Sequence, residues 1–365
     1  MEKRSMTEKP NKRIMDVRAL ASVLAALMFF AGIFAVSTTP AEAASGAKLS
    51  AGSVTVAMGG SRTIKLYNAK EGKWTLRSNG VAKIKKRSRQ YVTVVPLKAG
   101  TTTLTCKAGR KTLKCKVRVL NNSIGKPAKL FDDDTFFCLA GSPREVTVYI
   151  PEGDRIDSMS YNRKIGTVRI VKTTRIEPDD EDDRTMIEYT LSVRGLKPGK
   201  MKLDLMIARS DGSSSVDSRA FIFINDFRGR AKVKKTSANY AKWRRKTISS
   251  MVSADMTTWE IIGAIDTLIS TGRYSSRGGA TGIQLWYGTN GTCVSGAQMM
   301  DDFMKDLGIK SKIHFMGKAK NSVDINHLRV QYGKQHKNTW ITLGGKRYEL
   351  NPQPGIPWPA GIVMR

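Results

Sequence analysis

The chain has 365 residues, and its hydrophobic fraction of 40% and charged fraction of 25% are those of globular domains rather than of a disordered or fibrous chain. That length is enough for two or three domains. There are 62 Lys and Arg against 31 Asp and Glu, a net charge of +31 that favours an anionic partner. The 4 cysteines and 3 histidines form no CxxC pair and no zinc-type spacing. These counts exclude a disulfide-rich scaffold, and we expect no metal site and no cofactor.

The first 43 residues have the pattern of a secretory signal peptide. Basic residues precede an apolar run from Ala19 to Val36, and Ala41-Glu42-Ala43 follows as an A-x-A cleavage site. The alternative is an uncleaved N-terminal anchor, since a run of this length can just span a bilayer. We expect cleavage, which leaves an exported protein, secreted or associated with the cell wall, without a stable membrane span.

The charge that remains after cleavage indicates the kind of partner. Residues 1–43 carry six basic and four acidic side chains, so the rest of the chain carries 56 basic and 27 acidic ones and a net charge of +29. An exported protein rarely meets nucleic acid, and the basic residues are not interleaved with aromatic residues in one patch. We therefore expect an anionic cell-wall polymer or an anionic membrane surface, and no nucleic acid. The alternative is that the charge only maintains solubility.

Residues 44–121 are predicted to form a β-sandwich. Short stretches of alternating polar and apolar residues are separated by turn residues, which is typical of all-β sandwiches. The alternating stretches are Ser53–Met58, Arg62–Tyr67, Tyr91–Val95 and Thr101–Val119. The last of them is predicted to be a hairpin with Gly109-Arg110 as its loop.

The register of this hairpin places two cysteines on the core face. Cys106 then lies opposite Leu113 and diagonal to Cys115. Two buried free thiols and one strained disulfide are about equally compatible with that register. In neither case are these two cysteines catalytic.

Residues 122–226 are predicted to form a second β-sandwich in tandem with the first. The segment from Gly195 to Leu203 repeats the pattern of the segment from Pro96 to Leu104 at an offset of 99 residues, a glycine turn followed by an alternating strand. Further alternating stretches are Glu145–Ile150, Thr167–Lys172, Ile187–Val193 and Ala220–Ile224. We expect the two sandwiches to act as spacers in front of the C-terminal part.

A series of short motifs runs through the first sandwich. They are Leu49-Ser50, Val54-Thr55-Val56, Gly59-Gly60-Ser61, Trp74, Ser78 to Ile84 and Leu97 to Leu104. In this order they resemble the bacterial Ig-like group 2 domain. The resemblance implies a spacer or adhesive module of a surface protein, and the second sandwich shares only the glycine turn with that family.

Helical periodicity replaces strand alternation in residues 227–365. One buried helical stripe is predicted over Met256–Ile269, with Gly272 as its stop, from apolar residues at 261, 262, 265, 268 and 269. The glycine-rich stretch Ser275–Gly282 is predicted to be a loop. A second helix, which ends at Gly308, is predicted from the spacings of three and four between Cys293, Ala297, Met300, Met304 and Leu307.

Cys293 is the candidate nucleophile. It falls in the first turn of its predicted helix, where the helix dipole favours a thiolate and backbone N–H groups can hold an oxyanion. The plain alternative is a core cysteine at the start of a helix, which the periodicity alone favours. A reactive thiol also needs a base and a group that orients this base.

A predicted hairpin downstream supplies candidates for both. The stretch His336–Leu343 alternates, Gly344-Gly345 makes a two-residue loop, and Lys346–Leu350 returns as the second strand. Position 336 then pairs near 353, and Asn351 lies diagonally beside His336 on the same face. His336 is therefore the candidate base and Asn351 its orienting partner, the role that Asn has in Cys-His-Asn proteases. His327 is the second candidate base, although the pattern places no polar partner for it.

Three blocks of residues resemble the transglutaminase-like superfamily. They are Gly291-Thr292-Cys293, Leu307-Gly308-Ile309, and His336 followed in register by Ile341, Leu343, Gly345-Lys346, Tyr348, Leu350 and Asn351. The resemblance implies Cys293 as nucleophile, His336 as general base and acid, and Asn351 as orienter of the imidazole. Asn351 stands where the family has an Asp, Asn338 and Trp340 replace its Trp-Asn, and Gly344 replaces a turn Asp.

The predicted fold class is multidomain, with two all-β Ig-like sandwiches followed by an α+β papain-like or transglutaminase-like domain. The resemblance implies acyl transfer through a thioester on Cys293, with a protein or a peptidoglycan peptide as substrate. If water accepts the acyl group, the domain is a peptidase or amidase. If a lysine amine accepts it, the domain is a cross-linking transglutaminase, and the sequence does not distinguish the two. The alternative is a non-catalytic wall-binding or adhesive surface protein with a degenerate domain, since Asn351 lacks the charge of the usual acid.

Overall fold

The computed structural model describes residues 46–127, 134–177, 184–227, 234–288, 290–315, 337–355 and 362–364. Most of this chain forms β-sandwiches, and a part with helices and a smaller sheet follows them. The predicted signal peptide lies outside the described residues. Within these ranges, no helix is both long enough and apolar enough to cross a membrane.

The first sandwich pairs two sheets whose facing sides carry the apolar residues. Its strands are β1 (Lys48–Leu49), β2 (Ser53–Val56), β3 (Arg62–Tyr67), β4 (Lys73–Leu76), β5 (Ala82–Arg87), β6 (Tyr91–Pro96), β7 (Gly100–Ala108) and β8 (Lys111–Val119). One sheet has the strand order β1-β3-β6-β5, and the other has the order β2-β8-β7-β4. Trp74, Val94 and Leu104 are buried between them, and burial of such side chains stabilises the pair of sheets.

The predicted hairpin of the first sandwich is confirmed. Ala108 pairs with Lys111 across the two-residue loop, Cys106 lies opposite Leu113, and Cys115 pairs with Leu104. Both cysteines are buried and free, so the structure chooses free thiols over the strained disulfide.

The second sandwich has the same two-layer plan. Its strands are β9 (Thr135–Leu139), β10 (Pro143–Pro151), β11 (Arg155–Tyr161), β12 (Gly166–Ile176), β13 (Met186–Gly195), β14 (Gly199–Ala208) and β15 (Ser214–Ile224). The sheets have the orders β10-β13-β12 and β11-β14-β15-β9. The repeated glycine turn is confirmed, because Gly100 and Gly199 begin β7 and β14 with φ of 147° and 141°, a region that glycine enters at little cost.

The C-terminal part contains helices and a four-stranded sheet in its described residues. Its helices are α1 (Ser237–Met251), α2 (Thr258–Ser270), α3 (Gly282–Gly288) and α4 (Cys293–Asp306). Its strands are β16 (Arg273–Gly279), β17 (Asn290–Gly291), β18 (Lys310–Phe315), β19 (Lys337–Leu343), β20 (Lys346–Leu350) and β21 (Ile362–Met364). The sheet order is β18-β19-β20-β21, and β16 pairs with β17.

Both predicted helices are present, with two differences in their surroundings. Helix α2 begins with a capping box between Thr257 and Glu260, and it is buried on nearly all sides rather than along one stripe. The predicted loop Ser275–Gly282 is wrong, since most of it belongs to β16 and Gly282 starts α3. Helix α4 ends as predicted, because Gly308 follows it with a φ of 74°.

The sandwiches are packed against the helices and are not separated from them, while the expected role as spacers stays a prediction. One hydrophobic core includes Ala57 and Leu120 of the first sandwich, Ile222 of the second, and the buried residues of α2 and α4. From the second sandwich, Lys200 Nζ lies 2.9 Å from a carboxylate oxygen of Glu260, in the first turn of α2. The described chain from residue 46 onward is therefore one compact unit.

A buried polar network joins the first sandwich to α2. Asn121 is fully buried, its Oδ1 accepts a hydrogen bond from Met58 N at 3.0 Å, and its Nδ2 donates to Thr258 Oγ1 at 2.9 Å. Thr258 Oγ1 in turn donates to Met58 O at 2.9 Å. Such a network is stable only while each member has its partner, because a buried polar group without one is costly.

Replacement of Asn121 by Ala should therefore destabilise the protein. The change leaves Met58 N–H without its acceptor, and the expected loss in the free energy of unfolding is about 3 kcal/mol. Urea unfolding followed by tryptophan fluorescence measures it. Asn79→Ala, at an exposed turn, is the control and should change the free energy by less than about 0.5 kcal/mol. Equal effects of the two changes would contradict the network.

Candidate active site

Cys293 is the first residue of α4, and the loop before it is fixed by short contacts. Ser295 Oγ accepts a hydrogen bond from Thr292 N at 2.9 Å and donates one to Thr292 O at 2.9 Å. Gly291 pairs with Tyr274 and Gly279 of β16. Cys293 is partly exposed, whereas Cys106, Cys115 and Cys138 are buried. Among the four cysteines it is therefore the accessible thiol, at a helix N-terminus.

Tyr274 borders the thiol, and the sequence did not single it out. Tyr274 is 46% exposed, and partial burial together with the negative charge of an ionised Cys293 raises the pKa of its phenol. The backbone of Tyr274 pairs with Gly291, two residues before Cys293. Tyr274 lies in the glycine-rich stretch around β16, where no alternation or helical period indicated a role.

The hairpin that carries Asn351 has the predicted register. Leu343 pairs with Lys346 across Gly344-Gly345, and the pairing continues to Thr339 opposite Leu350. Asn351, the next residue, is buried, and its Oδ1 accepts a hydrogen bond from Gln353 Nε2 at 3.1 Å. The candidate orienter is thus held at the end of a strand, as the sequence predicted.

His336 lies outside the described residues, so the predicted triad remains a prediction at its central member. The strand that follows it, β19, does contact the helix of Cys293, because Thr339 Oγ1 donates to Ala297 O at 2.9 Å. His327 also lies outside the described residues. His314 is described and lies against Trp340, with 3.8 Å between the ring centroids.

The segment after Asn351 folds over the first turns of α4. A Cβ at Gly296 would lie 2.3 Å from Pro352 O, and one at Gly291 would lie 3.3 Å from Pro354 Cγ. Gly355 N donates to Ser270 O at 2.9 Å, which fixes the far end of the segment on α2. The structure therefore brings the strand end with Asn351 and the helix start with Cys293 together. Gly296 allows this approach, and its position three residues after Cys293 was the available sequence signal.

Among the described residues, no group of three or more His, Cys, Asp or Glu side chains is arranged to hold a metal ion.

Comparisons with known proteins give no family for the chain. No protein-family model matches it, and no curated protein matches it in sequence. Among solved structures, domains 5–6 of the S-layer protein SbsC are 16% identical over 49% of this chain and 97% of theirs, with a TM-score of 0.19. Tandem Ig domains of titin are 12% identical over 49% of this chain and 97% of theirs, with a TM-score of 0.18.

A third similarity is to the Yersinia pseudotuberculosis adhesin InvE, which is 13% identical over 48% of this chain and 58% of that chain, with a TM-score of 0.17. TM-scores of this size do not establish a common fold. The sandwich architecture of the N-terminal two-thirds therefore rests on its own strand pairing.

Replacement of Gly296 by Ala should disturb the site directly. The added methyl group has no room beside Pro352 O, so the segment from Asn351 to Gly355 must move, and the expected loss of stability is about 2 kcal/mol. Urea unfolding and the labelling rate of Cys293 measure the two effects. Gly288→Ala is the matched control, because a Cβ there meets nothing within 4 Å; a similar loss in both variants would contradict the close approach.

Thiol labelling should separate Cys293 from the other cysteines. Burial raises the pKa of Cys115 and Cys138 to about 11 and raises that of Cys106 above its usual value, so at pH 8 few of these thiols are ionised and all are covered. A disulfide reagent in excess should release one equivalent quickly from the folded protein and the remaining three only on unfolding. Cys293→Ser should remove the fast phase. A fast phase that persists would contradict the assignment.

Proposed function

We propose that the C-terminal part is a transglutaminase-like domain that transfers acyl groups through a thioester on Cys293. One observation carries the proposal: a partly exposed cysteine starts a buried helix, and the strand end with Asn351 folds onto the same end of that helix. This is the arrangement that a nucleophile and the orienter of its base require.

In this reaction the thiolate of Cys293 attacks the carbonyl carbon of an amide. His336 takes the proton of the thiol and gives it to the leaving amine, and the acyl group remains on sulfur as a thioester. Backbone N–H groups in the first turn of α4 are suited to hold the oxyanion of the tetrahedral intermediate. Water or a second amine then attacks the thioester, returns its proton through His336 and frees the thiol.

Asn351 orients the imidazole of His336 in this proposal. An amide keeps the hydrogen bond that fixes the ring, but it lacks the charge that stabilises the imidazolium. We therefore propose a slower enzyme than one with Asp at this position. A protein or a peptidoglycan peptide is the substrate class, and the signal-peptide pattern supports action outside the cell, in solution or at the wall.

A second, non-catalytic function as a binding protein of the cell surface is supported by a different observation. Residues 46–121 contain 18 Lys and Arg but a single acid, Glu71. A module of such charge favours adhesion to an anionic polymer, with or without an active thiol.

The pH dependence of iodoacetamide labelling tests the catalytic proposal. Cys293 should react with an apparent pKa below the value of about 8.5 of an ordinary thiol, and His336→Ala should raise that pKa. His327→Ala is the matched control and should change nothing. Asn351→Asp introduces the negative charge that the family has at this position. It should raise the rate of Cys293 labelling at neutral pH by about tenfold or more.

The proposal fails if Cys293 reacts like a free thiol and the two histidine variants do not differ. Where labelling supports an activated thiol, release of amines from a peptide library and incorporation of a labelled primary amine into protein distinguish hydrolysis from cross-linking. Cys293→Ser, in which the nucleophile is lost, should abolish either reaction.

A further inference from the structure

The outward face of one sheet in the first sandwich has an unusual composition. On β2-β8-β7-β4 the inward positions hold apolar residues such as Trp74, Leu104 and Val117. The outward positions hold only cations and hydroxyls, namely Lys73, Lys107, Lys114, Lys116 and Arg118 together with Ser53, Thr55, Thr75, Thr101, Thr103, Thr105 and Thr112. We refer to these twelve positions as the lysine–threonine face.

No acid offsets the cations of the lysine–threonine face. None of the salt bridges found among the described residues involves its five cations, and the one acid of the module, Glu71, lies 3.8 Å from Arg89. Lys73 is directly opposite Lys107 on the neighbouring strand. Like charges in this position are destabilising. A sandwich needs no such arrangement for its own stability, whereas a surface for an anion does.

The face continues into a cleft at the edge strand β2. The cleft has a volume of about 370 Å³ and lies between the first sandwich and α1. Its lining includes three arginines, Arg62, Arg118 and Arg245, and one acid, Asp306. The Asp306 carboxylate is already bound by Arg244 Nε at 2.7 Å. Arg118 belongs to both the face and the cleft, so the two form one continuous cationic surface.

We propose that the lysine–threonine face and its cleft bind a linear phosphodiester polymer that carries no bases, with one phosphate held in the cleft by Arg118 and Arg245. Lys114, Lys116 and Arg118 follow each other at alternate positions of β8, which places their cations about 7 Å apart along the strand. In a polymer with one phosphate for each short polyol unit, the distance between successive phosphates is similar to this spacing of the cations.

The side chains around these cations suit phosphate. Thr105 and Thr103 of β7 lie opposite Lys114 and Lys116 of β8, and hydroxyls donate to phosphate oxygens. Arginine binds phosphate through two parallel hydrogen bonds, which suits the closed end of the surface. The face therefore supplies point charges along its length and a bidentate contact in the cleft.

The same composition disfavours other polyanions and surfaces. Single-stranded nucleic acid is bound through aromatic side chains that stack on bases, and none of the twelve outward positions is aromatic. A membrane surface is bound through apolar side chains that enter the interface, and none of the twelve is aliphatic. A polymer of polyol phosphates requires neither.

Binding of poly(glycerol phosphate) to the full chain at several salt concentrations tests the proposal. A variant with Lys73, Lys107, Lys114 and Lys116 changed to Gln should bind about tenfold or more weakly, and the slope of log K against log salt should fall by about 3. The control changes Lys65, Lys70, Lys83 and Lys85 to Gln, all exposed positions of the same module outside the face. It carries the same charge change and should bind within about twofold of the parent.

Arg245→Gln separates the cleft from the face. This change on α1 should weaken polymer binding and lower the slope of log K against log salt by about one. An unchanged affinity would overturn the place of the cleft in the proposal. Equal weakening by the two lysine variants would overturn the face, since binding would then follow net charge alone. Tighter binding of single-stranded DNA, of an acidic polysaccharide or of anionic vesicles would overturn the class of ligand.

Two further measurements keep the test independent of folding and of the thiol. In the parent protein, bound polymer should protect Lys107, Lys114 and Lys116 from acetylation and leave Lys65 and Lys83 reactive; equal protection of both sets would count against the face. Cys293→Ser should bind the polymer unchanged. The polymer-binding proposal can therefore hold if the catalytic proposal fails, and the catalytic proposal can hold if the polymer-binding proposal fails.

Discussion

The carbonyl groups at the end of α4 are bound by the first sandwich, and much of the structure depends on this contact. A helix leaves its last four carbonyls without partners inside the helix. Here Arg62 Nη2 donates to Asp306 O at 2.8 Å, Ala57 N donates to Leu307 O at 2.8 Å, and Ser61 N donates to Gly308 O at 2.8 Å. Backbone and side-chain donors of the first sandwich thus satisfy the carbonyl groups at the end of this helix.

This contact explains why the modules form one unit. A Cβ at Gly60 would lie 2.7 Å from Gly308 O, so the two chains approach as closely as backbone allows. The apolar residues around the contact belong to the core that includes α2 and both sandwiches. The C-terminal part without the first sandwich would expose polar groups and apolar side chains that the intact chain buries.

Contacts at both ends of α4 fix the position of the helix that carries Cys293. Arg62 and Arg244 bind its C-terminal Asp306, where cations interact favourably with the helix dipole. The segment from Pro352 to Gly355 covers its N-terminal turns. Cys293 therefore starts a helix whose position is fixed at both ends, and the proposed thiol chemistry would use this preorganisation.

Local patterns predicted the elements well where turn residues and periodicity agree. The two-residue loops at Gly109-Arg110 and Gly344-Gly345 fix their registers, and the spacing from Cys293 to Leu307 fixes α4. The missed features depend on partners distant in the chain. Strand β16 has no alternation and is defined by its pairing with Asn290-Gly291, and the burial of α2 on all sides includes Phe137 of β9 against Gly263.

The packing of the modules was unpredictable for the same reason. Part of it consists of hydrogen bonds between backbone groups of residues 57–61 and 307–308, and a backbone donor leaves no mark in side-chain patterns. For the site, Cys293 and the hairpin of Asn351 were predictable from local patterns. The position of Gly296 was visible in the sequence, but its role depends on how the chain after Asn351 folds back. The position of Tyr274 depends on the pairing of β16 with Asn290-Gly291.

The parallel pairing of terminal strands has a mechanical consequence. In the first sandwich β2 pairs parallel with the last strand β8, and in the second the first strand β9 pairs parallel with the last strand β15. A pull on the two ends of either module moves these neighbours in opposite directions along their own axes. All hydrogen bonds of the pair are then loaded together in shear and must break at once, whereas a hairpin pulled from its open end loses its bonds one by one. Tension along the chain therefore meets its greatest resistance at the parallel pairs β2–β8 and β9–β15.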